Sequence, residues 1–265
     1  MRSTFAAPLF AGFCFTLAAA PALATPSFQS LAVSVTVEAP AMALSRLATD
    51  ADPRGLQLAL DARQCAADSL GQPASPRLAV IDYSRPSTEP RLWVFDLAAN
   101  KLLFREVVAH GQGTGENMAR NFSNVDGSHQ TSLGLFRTVD TYNGKNGYSL
   151  RMQGLEPGTN DAAMSRAIVM HGAPYVNSQL AKTKGRLGRS WGCPAVRPEV
   201  AHQVIDSLKN GQMIFSFYPD SGWLKRSPFI ACKARHAQPQ QVLVARNDTT
   251  PAGAIAGGGS KAAPK

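Results

Sequence analysis

A single mixed domain, mainly β with a few helices and closed as a β-sandwich or partly open barrel, is the fold class this sequence predicts. Three observations carry that expectation. From residue 76 onward the chain breaks into short runs rich in Val, Ile, Leu, Phe and Tyr. Clusters of Gly, Asn, Asp and Lys, such as 96–101 and 142–147, separate these runs as turns do. Only two stretches, 54–70 and 198–208, combine helical spacing of apolar residues with stop signals.

Taken in order, residues 1–24 hold one cation, Arg2, then an apolar run over 5–20 and small residues at Ala22 and Ala24. That pattern is an export signal cleaved after Ala24. A membrane anchor is the other reading of the run. It is Ala-rich and short beside the roughly 20 strongly apolar residues a span requires. Cys14 follows Phe13, where a lipid-acceptor cysteine needs a small residue, so a soluble exported protein without stable membrane insertion is expected. Residues 25–53 read as irregular to weakly helical, punctuated by Pro26, Pro40 and Pro53. The helix at 54–70 uses Leu56, Leu58, Leu60, Ala62, Cys65 and Ala66, ends at Gly71 and Pro73, and places Cys65 on or near its buried face. Together, 25–75 form a helical extension packed on the domain.

Strands are expected at 78–83, 92–97, 102–109, 133–139, 148–152, 167–171 and 213–218. The helix at 198–208 is closed by Asn210-Gly211. The domain therefore runs over 76–236. Residues 237–265, rich in Gln, Pro, Ala, Gly and Lys, read as a disordered tail.

The formal charge of the whole chain is +9 and falls to +8 on signal removal, because only Arg2 is lost. A basic surface suits an anionic neighbourhood such as a bacterial wall. Nucleic acid is excluded as a partner by export and by the lack of a basic-aromatic run.

The chemistry is carried by His171-Gly-Ala-Pro-Tyr-Val and by the stretch Gly188-Arg-Ser-Trp-Gly-Cys-Pro-Ala-Val. Cysteine attacks as thiolate, and an imidazole that takes its proton favours that form. A buried, inert Cys193 with His171 as an ordinary strand residue is the plainer alternative. Gly192 argues against it by clearing space beside the sulfur. Pro194 argues against it by keeping Cys193 out of a regular helix or central strand. A zinc site does not fit, since His171, Cys193 and His202 lack paired ligand spacing, so no metal and no cofactor is expected. A papain-type enzyme has its cysteine before its histidine, the reverse of the order here.

Of four cysteines, the exported chain keeps Cys65, Cys193 and Cys232, an odd number that suggests one pair and one free thiol. Pairing Cys65 with Cys232 leaves Cys193 free to react; the alternative is two buried thiols. Gly111-Gln-Gly-Thr-Gly115 lacks the Gly-Lys-Ser/Thr ending of a phosphate loop and reads as a flexible loop beside the site, with His110 at its strand end.

These residues resemble the murein L,D-transpeptidase catalytic-domain family. The match is carried by His171 and Ser190-Trp-Gly-Cys-Pro, and upstream by Ile81-Asp-Tyr-Ser-Arg-Pro-Ser, Ala109-His-Gly, Phe122-Ser-Asn, Ser132-Leu-Gly, Tyr142, residues 147–152, Gly154-Leu-Glu, Asn160 and Arg166. It covers about residues 54–231. Trp191 stands where the family has histidine, and Pro194-Ala195 replaces a hydrophobic-Asn/Arg pair, as in a Ser-x-Gly-Cys-Pro-Ala-Val branch.

The resemblance implies a transpeptidase-type fold. It also implies attack by Cys193 on a peptidoglycan tetrapeptide stem, with release of D-Ala and a thioester that an amine converts to a 3-3 cross-link. Water would instead give L,D-carboxypeptidase activity, and a wall-binding protein without catalysis is the reading from a different class. His171 is the implied base, and the Gly172 carbonyl orients its ring. Backbone N–H groups of Gly192 and Cys193 are the candidate oxyanion donors. Ser190 either hydrogen-bonds near the thiolate or caps the turn. Trp191 either stacks on substrate or fills the core. Lys182, Lys184, Arg186 and Arg189 form a basic run that reads as a solvated loop or, through Arg189, Arg186 or Arg197, as a carboxylate anchor. His110 is either a substrate contact or structural.

Overall fold

Continuous apolar runs mark three of the strands: β1 (Arg77–Asp82), β2 (Leu92–Asp96) and β8 (Met213–Phe217) are buried along nearly their whole lengths. Such runs belong to strands covered on both faces. The computed structural model describes residues 40–230 and Cys232. The expected signal at 1–24, most of the 25–53 stretch and the tail at 237–265 lie outside the described residues.

The remaining strands are β3 (Lys101–Glu106), β4 (Gly134–Gly144), β5 (Gly147–Gly154), β6 (Val169–Gly172) and β7 (Ala195–Val196). All eight form one sheet in the order β3-β2-β1-β8-β4-β5-β6-β7. The pairs β1·β8 and β6·β7 are parallel and the rest antiparallel. Beyond β3 the chain turns to the far edge, where the Ala109 N–H donates to the Ala195 carbonyl at 2.8 Å. This bridge brings the two edges together, so of the two forms expected the structure takes the nearly closed barrel.

Fully buried Trp93, Phe95, Phe136, Phe215, Leu78 and Leu135 are the bulk of the core. Helix α1 (Pro40–Leu47) and helix α2 (Pro53–Leu70) lie against it. The start of α2 is set by Asp52, whose carboxylate accepts the Arg54 N–H at 2.8 Å, and by Pro53 in the first turn. Its end is set by Gly71, left-handed at φ 59°. Leu56, Ala59, Ala62 and Cys65 face inward, and Cys65 is bonded to Cys232 while Cys193 is free.

Helix α4 (Pro198–Leu208) buries Ala201, Val204, Ile205 and Leu208 and approaches β6 so closely that a Cβ on Gly172 would stand 2.8 Å from that of Ala201. Gly172 is glycine for that packing. The Gly154-Leu-Glu and Asn160 motif is scaffold. Buried Glu156 accepts the Leu135 N–H and Trp223 Nε1–H, both at 2.8 Å. The Asn160 amide donates to the Leu133 and Leu135 carbonyls.

Several boundaries differ from the sequence reading. Helix α1 is regular where weak helicity was expected. Strand β4 runs past Val139 to Gly144 and makes a long hairpin with β5 around Lys145 and Asn146. Helix α3 (Ser178–Lys184), helix α5 (Ser221–Arg226) and the two-residue β7 were not anticipated. Each is too short to show a periodicity of its own and is held by capping or tertiary pairing.

Candidate active site

Strand pairing puts the histidine and the cysteine together. β6 runs parallel to β7 with His171 opposite Ala195, and the His171 N–H donates to the Pro194 carbonyl at 3.4 Å. The imidazole Nδ1 donates to the Gly172 carbonyl at 2.9 Å, which leaves Nε2 as the acceptor nitrogen. His171 is 4% exposed. Burial pushes its pKa below the usual histidine range, opposed in part by the bond to Gly172.

Cys193 sits on a tight turn just before β7. Ser190 Oγ donates to the Cys193 carbonyl at 2.6 Å and accepts the Gly192 N–H at 3.1 Å. Of its two expected roles, Ser190 therefore takes that of turn cap. Gly192 has φ 118°, and a Cβ there would lie 2.8 Å from the Gln130 carbonyl oxygen. Its own carbonyl accepts from Thr131 Oγ1 at 3.2 Å. Because the Gly192 N–H is spent on Ser190, the expected pair of oxyanion donors reduces to one, the Cys193 N–H, for which no partner is found among the described residues.

The thiol accepts the Val169 N–H at 3.4 Å and lies 3.7 Å from the Ala167 carbonyl, which can take the S–H proton in a hydrogen bond. Ala167 is left-handed at φ 53°, a conformation costly for a residue with a Cβ and concentrated at functional sites. Burial raises the thiol pKa, against the lowering effects of the Val169 N–H and the Arg166 charge. Both shifts favour the neutral forms, thiol and imidazole.

A cleft of about 370 Å³ opens over these groups, lined also by Arg166, Tyr175, Arg189 and Trp191, with Lys145 and Asn146 of the β4–β5 hairpin tip. Arg166 and Tyr175 carried no assigned role from sequence. The Arg166 guanidinium is held by four neutral acceptors: the Ser123 and Gln130 carbonyls and the hydroxyls of Ser132 and Ser128. It thus brings a positive charge to the thiol and clamps residues 123–132 against Gly192. The Tyr175 hydroxyl is pushed up to about 12, by burial first and then by Cys193. Gly188 leaves room for that ring, since a Cβ there would sit 2.4 Å from the Tyr175 Cβ. The glycine was the available signal.

The three arginines expected as carboxylate anchors are each paired with a glutamate. Arg189 lines the cleft, but its Nη1 is bonded to Glu116 at 2.7 Å and to the Gly115 carbonyl at 3.0 Å. Arg186 meets the other oxygen of Glu116 at 2.6 Å. Arg197 forms a two-pronged pair with Glu106 at 2.9 and 2.8 Å, away from the cleft. Trp191 is 69% exposed, which overturns the core reading. The loop Gly111–Gly115 packs as part of the site's frame. A Cβ on Gly111 would stand 2.8 Å from the Gly192 Cα, and the Gln112 N–H donates to the Ser190 carbonyl at 2.8 Å.

His110 is structural and does not reach the cleft. It is buried, accepts from Arg91 Nη2 at 2.7 Å through Nδ1, and donates from Nε2 to the Gly115 carbonyl at 3.2 Å. Burial, and then the neighbouring Arg91 charge, lower its pKa to about 4. As pH falls below the ordinary histidine range the unfolded chain takes up a proton that the folded chain refuses until about pH 4. Stability on this account is unaffected above pH 6.5 and drops by about 3 kcal/mol across the window down to pH 4. Urea titrations at a series of pH values are the check, and His110→Gln is expected to flatten the curve over that window.

The sequence of residues 47–217 matches the model of the L,D-transpeptidase catalytic domain. No curated protein matches significantly. Among solved structures, an L,D-transpeptidase from Mycobacterium smegmatis is similar at 15% identity over 54% of this chain and 59% of that one, with a TM-score of 0.34. The helical cell shape determining protein from Campylobacter jejuni is similar at 12% identity over 55% and 48%, with a TM-score of 0.36. L,D-transpeptidase 3 from Mycobacterium tuberculosis is similar at 12% over 54% and 61%, with a TM-score of 0.35. The chain thus spans about half to three fifths of the length of these distant relatives in structure. The sequence match is the stronger finding: it takes in well over half of the chain, with both His171 and Cys193, and the protein belongs to the L,D-transpeptidase catalytic domain family.

Proposed function

We propose that this protein is an exported cysteine acyl-transferase that acts on peptidoglycan tetrapeptide stems in the cell envelope. The observation that carries the reading is a free thiol, Cys193, that shares a cleft with an imidazole whose Nδ1 is held by the Gly172 carbonyl, which leaves Nε2 to accept a proton. The Cys65–Cys232 bond supports an oxidising compartment, as does the apolar N-terminal run.

In this mechanism the S–H proton passes to His171 Nε2 as sulfur attacks the carbonyl at the L-centre of the stem's diamino acid. The Cys193 N–H faces the oxyanion and Arg166 lowers the cost of the developing negative charge. The C–N bond to D-Ala then breaks, the imidazolium returns its proton to the leaving amine, and a thioester remains. An amine from a second stem attacks the thioester, forms the 3-3 amide and restores the thiol. Water in its place yields a tripeptide, the carboxypeptidase outcome from the same intermediate.

Intact-protein mass spectrometry after exposure to a carbapenem, and separately to disaccharide-tetrapeptide, tests the reading. The parent protein is expected to gain the mass of the acyl group and Cys193→Ala to gain none. Cross-linked dimers among the released products mean transfer, and tripeptide alone means hydrolysis. A folded parent with a free thiol, no adduct and no turnover would instead favour a wall-binding role.

A further inference from the structure

Trp191 is the exposed tryptophan of this protein, at 69%, whereas Trp93 and Trp223 are buried. An indole is large and mostly apolar, so leaving it in water forgoes burial that a core position would supply. Its position is not loose. One face rests on the His129 ring, with centroids 4.8 Å apart and planes 7° from parallel. His129 is itself held: Gln112 Nε2 donates to its Nδ1 at 2.9 Å, and its carbonyl accepts the Gly113 N–H at 3.0 Å. On the other side, the Ser190–Cys193 turn anchors the Trp191 backbone. The result is a flat aromatic plate, backed on one face, on the wall of the cleft that holds Cys193.

The groups at its edge are polar. Lys145 and Asn146 stand on the same cleft, and Gln112 is bonded to the His129 ring behind the indole. A pyranose ring matches that combination, because it presents a flat face of C–H bonds ringed by hydroxyl and amide groups.

We propose that the outward face of Trp191 is a saccharide-stacking subsite that receives the amino-sugar ring bearing the stem peptide. The protein then reads glycan as well as peptide. This inference rests on the peptidoglycan reading above.

The test uses the full exported chain and two donors, free tetrapeptide and disaccharide-tetrapeptide, with acylation of Cys193 followed by mass. The parent is expected to favour the disaccharide form in kcat/KM by about five- to tenfold, the size of one good aromatic contact. Trp191→Ala is expected to erase that preference by lowering kcat/KM on the disaccharide form about five- to tenfold more than on the free peptide, and Trp191→Phe to keep most of it. Equal losses on both donors, or none on either, would overturn the saccharide subsite.

A second measurement does not depend on turnover. Peptide-free disaccharide titrated into Cys193→Ala is expected to change the tryptophan fluorescence, and to leave it unchanged when Trp191→Phe is added. If neither donor acylates the parent, the transferase reading fails alone. The subsite then stands or falls on this titration, and no response overturns it.

Discussion

His171→Ala is expected to slow acylation of Cys193 by about 10²- to 10⁴-fold at neutral pH, the usual contribution of a positioned general base. The reason lies in the resting charge states. Burial raises the Cys193 thiol and lowers the His171 imidazole, which disfavours a standing ion pair, so in the proposed mechanism the proton moves as the bond forms. In the parent, the base stays neutral at and above the ordinary histidine range, and the rate is expected to be level through neutral pH. It should fall only on the acid side, where the imidazole finally takes a proton. Without His171 the thiol must ionise unaided, so the residual rate should climb steadily with pH. Carbapenem acylation followed by mass at several pH values measures both the drop and the change of profile. A variant with a parental rate and a parental profile would remove His171 from the mechanism.

Loss of the Cys65–Cys232 bond is expected to be the costliest change for stability. It joins residues 167 apart in sequence, and in the chain-entropy model a closed loop of that order contributes about 5 kcal/mol, by restricting the unfolded chain. Typical folded domains have a total of about 5 to 15 kcal/mol, so this bond is a large share. Cys232→Ser, compared with the parent in urea, is expected to unfold at much lower denaturant. Below its transition it should still be acylated, because Cys65 belongs to α2, which does not line the cleft. Unchanged stability would mean that the native state carries compensating strain.

Local signals made much of the fold legible. Strands β1, β2 and β8 are continuous apolar runs, and α2 and α4 are bounded by Asp52, Pro53, Gly71 and Pro198, residues whose backbone chemistry is the same wherever they stand. The same holds for the thiol and the imidazole: His171, Gly192 and Cys193 could be named from residue type and spacing. Arginine roles could not. Arg186, Arg189 and Arg197 have identical chemistry in a sequence, and what separates them is Glu116 and Glu106, far along the chain. Arg166 gains its place by four bonds to residues 34 to 43 positions away. His110 and Trp191 each had two readings in the sequence for a related reason. Burial is decided by what packs around a side chain, and the polar ring went inside with Arg91 while the indole stayed in water.

By itself, then, the sequence determined a β-rich domain, its two long helices and the histidine and cysteine on which the proposed chemistry rests, because each rests on short-range pattern or on intrinsic reactivity. The tertiary structure alone decided that the sheet nearly closes through Ala109 and Ala195, that Arg166 is the cation beside the thiol, and that Trp191 faces solvent. Those are contacts between distant segments, and their free energy exists only once the chain has brought the segments together.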